Sequence, residues 1–231
     1  MPRVLTVTDA TEADALARLA TRDDVGARRI RRLLAMPDLS RTPGSPLFEM
    51  VERVKSVPSL KEFDIIDIPE IVPVRVSFDL FNFEPDHPAR STSDTYYVDT
   101  ENILRTHDTV FWYYYLALPE IQERVVRKEK LGTLCYGKVY RRDEIDRRHM
   151  NVFHQMGGWY LVPDSDGLLS LDDLKNVLSE VVKSVLGPDT TYRFTVETFP
   201  YTDPSLEVEV QVEGEWVEIL GGGMPKKAVL R

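Results

Sequence analysis

The sequence predicts an α+β fold, a mainly antiparallel sheet flanked by helices. Three observations predict it: strands concentrate in the second half of the chain, one long amphipathic helix separates them, and short turns rather than regular βα units connect them. There is no internal repeat and no low-complexity tract.

Ala13, Leu16, Leu19 and Ala20 recur at helical spacing, and Ile30, Leu33 and Leu34 repeat the pattern until Pro37 stops it. Residues 10–36 therefore read as two short helices. The stretch 39–46, with Thr42-Pro43-Gly44-Ser45 at its centre, is dense in turn formers and is expected to link a short helical segment, 1–44, to a main domain over 45–231. Pro46 suits a first helical turn, and Leu47, Met50, Val51 and Val54 give the next helix its apolar stripe. Residues 63–68 read as a strand closed by Pro69. Residues 137–155 read as a hairpin, an apolar strand, a densely charged loop and a second apolar strand. Ser170 precedes the strongest helix, with Leu174, Val177, Leu178, Val181, Val182 and Val185 on one stripe and Gly187 past its end. Strands are expected at 192–198, 206–212 and 215–220, with Gly214 turning the last pair.

With 231 residues, 42% hydrophobic and 29% charged, the chain can bury a sizeable core. No apolar run approaches the roughly 20 residues that span a bilayer, and no signal-peptide core opens the sequence, so a cytosolic protein is expected. A single cysteine, Cys135, excludes an intrachain disulfide and sits in an apolar run, where a buried, inert thiol is expected. The net charge of −9 argues against nucleic acid on its face. Basic residues nevertheless cluster at Arg28, Arg29, Arg31 and Arg32, at 124–130, and at Arg141, Arg142, Arg147 and Arg148, so local positive surfaces coexist with an acidic total. His87, His107, His149 and His154 lack the helical i, i+4 pairing that directs two imidazoles to one ion, so no histidine metal site is expected.

The hairpin carries the chemistry. Arg141 and Asp143, two residues apart, are expected on one face of its first strand. A guanidinium there grips phosphate bidentately, and a carboxylate accepts from an adenine amino group. The pattern alone is equally compatible with a solvent-facing, ion-paired hairpin.

Tyr140-Arg141-Arg142-Asp143 resembles motif 2 of class II aminoacyl-tRNA synthetases. Six further segments occur in the order seen in phenylalanine-tRNA ligase alpha subunits: Asp86-His87-Pro88-Ala89-Arg90, Asp94-Thr95-Tyr96-Tyr97-Val98, Leu104-Arg105-Thr106-His107, Phe153-His154-Gln155, Phe199-Pro200-Tyr201-Thr202-Asp203-Pro204-Ser205, and Trp216 to Met224 with its run Gly221-Gly222-Gly223. The resemblance implies a class II synthetase-like catalytic core that activates phenylalanine with ATP and Mg²⁺ and attaches it to tRNA, beside a beta subunit in an alpha2beta2 assembly. It implies ATP contacts from Arg141, Asp143, His149 and Phe153, with Arg141 stabilising the transition state. It implies amino-acid contacts from His107, Thr109, Gln155, Phe199 and Tyr201, and a magnesium contact from Glu218.

Two departures stand out. The family places an acid two positions after the glutamine, where this chain has Gly157, and Asp108, in place of the family's residue after His107, is the acid that would restore the charge. Residues 226–231 resemble the start of the family's next helix, so a fragment that stops before motif 3 is expected, inactive alone. A non-catalytic or split synthetase-like paralog that binds nucleotide, amino acid or a synthetase partner is the alternative.

Overall fold

The computed structural model describes residues 2–147 and 149–230, so Met1, Arg148 of the third basic cluster and Arg231 of the closing segment lie outside the described residues. In chain order the first half runs β1 (Val4–Thr6), α1 (Ala10–Thr21), α2 (Val25–Leu34), α3 (Pro46–Lys55), β2 (Asp64–Asp67), β3 (Ile71–Pro73), the single turn α4 (Val74–Ser77) and β4 (Asn102–Leu104). The second half adds α5 (Phe111–Ala117), α6 (Pro119–Val126), β5 (Leu131–Tyr140), β6 (Val152–Leu161), α7 (Leu171–Leu186), β7 (Tyr192–Glu197), β8 (Thr202–Val212) and β9 (Glu215–Pro225).

The strands form a four-stranded sheet in the order β1-β2-β5-β6, a ladder β3-β4 and a three-stranded sheet β7-β8-β9. Only β1-β2 and β2-β5 are parallel among the described pairs. The mainly antiparallel α+β expectation therefore stands, with a parallel edge that the sequence pattern does not announce.

That edge comes from the amino-terminal segment. Residues 1–44, expected as an accessory helical piece and linker, are tied into the core: Val4, Leu5 and Thr6 pair with Ile65, Ile66 and Asp67. Ala15, Leu19, Ala27, Ile30 and Leu33 of α1 and α2 are buried with Ile71, Leu104, Tyr140 and Val152. The turn-rich stretch is docked rather than free. Asp38 caps a 3-10 turn over Leu39–Arg41, and Arg41 donates to the Tyr136 carbonyl (3.0 Å) and the Asp67 carboxylate (2.8 Å).

α7 decides which side of the two larger sheets stays open. It begins with a capping box, Ser170 and Asp173 each satisfying the other's backbone amide, and it ends at Gly187. Val177 and Val181 pack on Tyr136 and Met156 of the β5-β6 hairpin. Val182 and Leu178 pack on Leu206, Val208 and Val210 of β8. Because side chains alternate across a strand, Phe153, Gln155 and Gly157 of β6, and Glu207 and Glu209 of β8, face away from α7.

The first strand of the hairpin stops at Tyr140, which corrects the expected placement of Arg141 and Asp143 on a strand face. Both lie in the 141–151 connection. The Arg142 amide leaves the β6 ladder to donate to the Asp94 carbonyl (2.7 Å), and the Asn151 side chain braces the connection by donating to the Asp143 carbonyl (2.8 Å).

Candidate functional site

The open face of β6 carries Phe153, Gln155, Gly157 and Trp159 in alternation, and each meets a different partner. Trp159 is buried beside Trp112 and Tyr115. Above Gly157 lies the Asp108 carboxyl group: a Cβ built on Gly157 would stand 2.4 Å from Asp108 Oδ2. Gln155 Oε1 accepts from the Asp108 amide (3.1 Å). Phe153 lies under the Arg141 guanidinium, 5.2 Å from ring centroid to Cζ. The strand thus runs from the hydrophobic core to a cation in four side-chain positions.

Asp108 opens a 3-10 turn, Asp108–Val110, directly after His107. The His107 ring is 8% exposed and packs between Phe83 (centroids 5.8 Å) and Tyr201 (6.3 Å), with the edge of Phe81 at 5.5 Å. Its Nε2 lies 3.0 Å from the Ser77 carbonyl oxygen. A carbonyl only accepts, so Nε2 carries the hydrogen and Nδ1, which has no hydrogen-bond partner, is a bare acceptor. Burial pushes the imidazole down to about 4, the Arg141 charge pushing the same way against the Ser77 hydrogen bond. At pH 7 the ring is neutral. Asp108 moves the other way: burial lifts its carboxyl group to about 6, despite Arg105, Arg141 and nearby backbone amides favouring the charged form.

A cavity of about 380 Å³ joins His107 to Arg141 and Asp143, with Phe83, His87 and Thr95 completing much of its wall. A wider opening of about 810 Å³ continues past Phe83 to Phe199. Phe199 and Tyr201 stack at 5.9 Å with a 12° interplanar angle, and the Thr109 side chain lies near enough to the Tyr201 hydroxyl to favour its charged form against burial. The Phe199 ring rests on Gly221, where a Cβ would come within 3.0 Å of Phe199 Cζ. Gly221 pairs with Glu207, so this aromatic wall sits on the open face with the acids.

Those acids carry uncompensated charge. Glu209 is paired with Arg193 (2.7 Å), whereas the Glu207 carboxyl group is raised by burial and then by repulsion from Glu218, Glu197 and Glu209. Glu218 is exposed and stands opposite Glu209 in the ladder.

Of the sequence-derived candidates, Arg141, Asp143 and His107 meet in one cavity, Gln155 and Phe153 line the strand beneath them, and Thr109, Tyr201 and Phe199 form the adjoining wall. His149 lies apart, exposed on the connection with its Nδ1 3.0 Å from the Asp146 carboxylate. Cys135 is buried, its thiol pushed up to about 12 by burial. In the first two basic clusters, several side chains are spent on structure: Arg31 donates to the Leu19 and Arg22 carbonyls, and Arg124 pairs with Asp64 and Glu129. Sequence reasoning gave no role to Phe83 and His87, whose rings meet at 4.8 Å on the cavity wall. They come from an irregular stretch with no periodicity to flag them.

Residues 34–231 match the family described as tRNA synthetases class II core domain (F). The chain is 34% identical over 149 residues to the chloroplastic/mitochondrial phenylalanine-tRNA ligase of Arabidopsis thaliana, covering 61% of this chain and 32% of that protein. It is 34% identical over 153 residues to the phenylalanine-tRNA ligase alpha subunit of Caldicellulosiruptor saccharolyticus (60% and 41% covered). It is 37% identical over 138 residues to that of Nostoc punctiforme (60% and 38%). The matched part is thus about a third to two fifths of the length of these relatives. Among solved structures, PylSc, a pyrrolysyl tRNA synthetase from Desulfitobacterium hafniense, aligns over 99% of this chain and 83% of its own with a TM-score of 0.56 at 15% identity, a likeness of fold alone.

Proposed function

The chain belongs to the class II tRNA synthetase core-domain family, and on that premise we propose that it forms the ATP- and phenylalanine-binding part of a phenylalanine-tRNA ligase alpha subunit. The observation that carries the reading is the single cavity joining Arg141 and Asp143 to His107, with a stacked aromatic wall beside it.

In the proposed reaction the phenylalanine carboxylate attacks the α-phosphorus of ATP, a P–O bond forms, and pyrophosphate leaves with the bonding pair. A terminal ribose hydroxyl of tRNA then attacks the carbonyl carbon of the mixed anhydride, an ester C–O bond forms, the acyl–phosphate C–O bond breaks, and AMP leaves with the bonding pair while its phosphate takes the hydroxyl proton. The substrate supplies the nucleophile, so the protein contributes position and charge. Arg141 holds the α-phosphate and offsets the negative charge that grows on it in the transition state. Asp143 accepts from the adenine amino group, with the Phe153 ring as the stacking surface once the guanidinium shifts to phosphate. His149 approaches the phosphates from its loop. Phe199 and Tyr201 receive the substrate ring, edge or face on, and Thr109 lies toward the substrate amino end.

Mg²⁺ would neutralise the phosphates. The residues that would hold it are Glu218 and Glu207, carboxylates that lie close enough to repel each other and suit an ion taking few protein ligands beside substrate oxygens. The names of the bacterial relatives, alpha subunits of phenylalanine-tRNA ligase, support a beta-subunit partner and tRNA as second substrate, and the assembly proposed for them is alpha2beta2. No helix among the described residues is long and apolar enough to cross a membrane, and the proposed place of action is the cytoplasm. The second reading, a synthetase-like protein that binds these ligands without completing the reaction, has Gly157 in its favour.

The test is phenylalanine-dependent exchange of pyrophosphate into ATP by the chain co-expressed with a beta subunit. Exchange should appear, and Arg141→Ala should lower it by about two to three orders of magnitude. Unchanged exchange in that variant sinks the role given to Arg141; binding of ATP and phenylalanine without any exchange supports the second reading.

A further inference from the structure

Around Asp108 the protein gathers acceptors, and among the described residues the carboxylate is met by backbone amides of its own turn and by no side-chain donor. The Asp108 carboxylate is partly buried and enters no ion pair among the described residues, with Arg105 and Arg141 acting on it only through space. The neighbouring His107 is buried, and its Nδ1 is an acceptor without a partner. Gln155 has its side-chain oxygen turned to the Asp108 amide, a bond that fixes the turn on β6 and uses one of that oxygen's two lone pairs. An acid held only by the amides of its own turn and an imidazole lone pair with no partner are costly in a half-closed site unless a ligand brings further hydrogens. A group with positive charge and several N–H bonds answers all three, and a primary ammonium is the smallest such group.

We propose that Asp108 is the residue that recognises the α-ammonium of the amino-acid substrate, reaching across from its 3-10 turn into the space that the missing side chain at Gly157 leaves on β6. The inference rests on the amino-acid-binding reading above and names the chemistry of its ammonium end. The carboxylate has changed element while keeping its place: a Cβ at 157 would overlap Asp108 Oδ2 and crowd the Phe111 ring at 3.3 Å, so an acid at 157 and one at 108 exclude each other. Glycine at 157 is then the condition for Asp108 to lie where it does. His107 Nδ1 supplies the second acceptor, and Gln155 acts as a positioning residue through the Asp108 amide.

The experiment is titration calorimetry of the full chain with L-phenylalanine and with 3-phenylpropionate, which has the same ring and carboxylate and no ammonium. The wild type is expected to prefer phenylalanine by about tenfold to a hundredfold, the range of one charge-assisted hydrogen bond. Asp108→Asn should erase that preference while leaving 3-phenylpropionate affinity and the circular dichroism spectrum unchanged. The exchange pair Asp108→Gly with Gly157→Asp should regain it. An Asp108→Asn protein that keeps the preference overturns the proposal, as does a wild type that binds both ligands equally. An exchange pair that folds, binds 3-phenylpropionate and still ignores the ammonium overturns the equivalence of the two positions. A wild type that binds neither ligand overturns the amino-acid-binding reading itself, and so fails differently.

Discussion

At the scale of single residues, the site holds two groups displaced in opposite directions by the same burial. His107 is pushed down to about 4 and stays neutral, and Asp108 is lifted to about 6. The groups facing Asp108 are Arg105 and Arg141, which favour its charge, with the neutral His107, the Tyr201 hydroxyl and the Cys135 thiol nearby. A folded pKa above the unfolded value near 3.8 means that this group's contribution to stability is complete below about pH 4 and is lost as pH rises through 6. Asp108→Asn is therefore expected to be more stable than wild type at pH 8, by roughly 2 kcal/mol, with the gap closing on acidification. Urea denaturation at pH 4 and pH 8 measures it, and an equal gap at both would show that Asp108 does not titrate as described. Wild-type affinity for phenylalanine should fall on acidification through the same interval, as Asp108 loses the charge that meets the ammonium. The identities of Arg141, Asp143, His107 and Gln155 were legible in the sequence because they sit in motif-like strings. The setting of Asp108 was not, since it depends on the face of a strand 49 positions away.

At the scale of elements, alternation and helical spacing located α7, β6 and β8 well, because each is long and has one apolar face. They failed at the end of β5, where the chain leaves its ladder for a backbone bond to Asp94 that no local pattern encodes. They also said nothing about β1, three residues whose strand state is conferred by β2. The glycines of β9 illustrate a readable string with an unreadable reason. Gly221 stands where Phe199 lies flat on the strand, so the aromatic wall depends on a missing side chain. Gly221→Val should push the ring off the sheet and raise the KM for phenylalanine by about tenfold, with the KM for ATP unchanged, in the pyrophosphate exchange assay. A matched rise in both would place Phe199 outside the amino-acid pocket.

At the scale of the whole molecule, the division into an accessory segment and a main domain reflects composition, whereas the packing follows one buried carboxylate. Asp64 on β2 is 5% exposed and accepts from the Arg3 amide and guanidinium before β1, from the Tyr115 hydroxyl on α5 (2.9 Å) and from Arg124 on α6 (2.9 Å). Three parts far apart in sequence meet on one side chain, and no local window reveals such a junction. Burial alone would raise the Asp64 carboxyl group, yet the Arg3 and Tyr115 hydrogen bonds and the charges around it bring it below the ordinary carboxylate range. A depressed folded pKa gives stability that is present above the unfolded value near 3.8 and lost as pH falls through the folded one. Asp64→Ala leaves the Tyr115 hydroxyl buried without its acceptor and two guanidinium groups without their shared partner. It should cost about 3 kcal/mol at pH 7, a drop in Tm of about 10 °C for a chain of this size. Because α5 and α6 follow directly on the turn that carries Asp108, the same variant should loosen phenylalanine binding more than ATP binding, although Asp64 lies outside the candidate site. Calorimetric melting across pH 2–7 decides the matter: wild type and variant should converge at low pH, and parallel curves would show that Asp64 holds the amino-terminal strand through packing rather than charge.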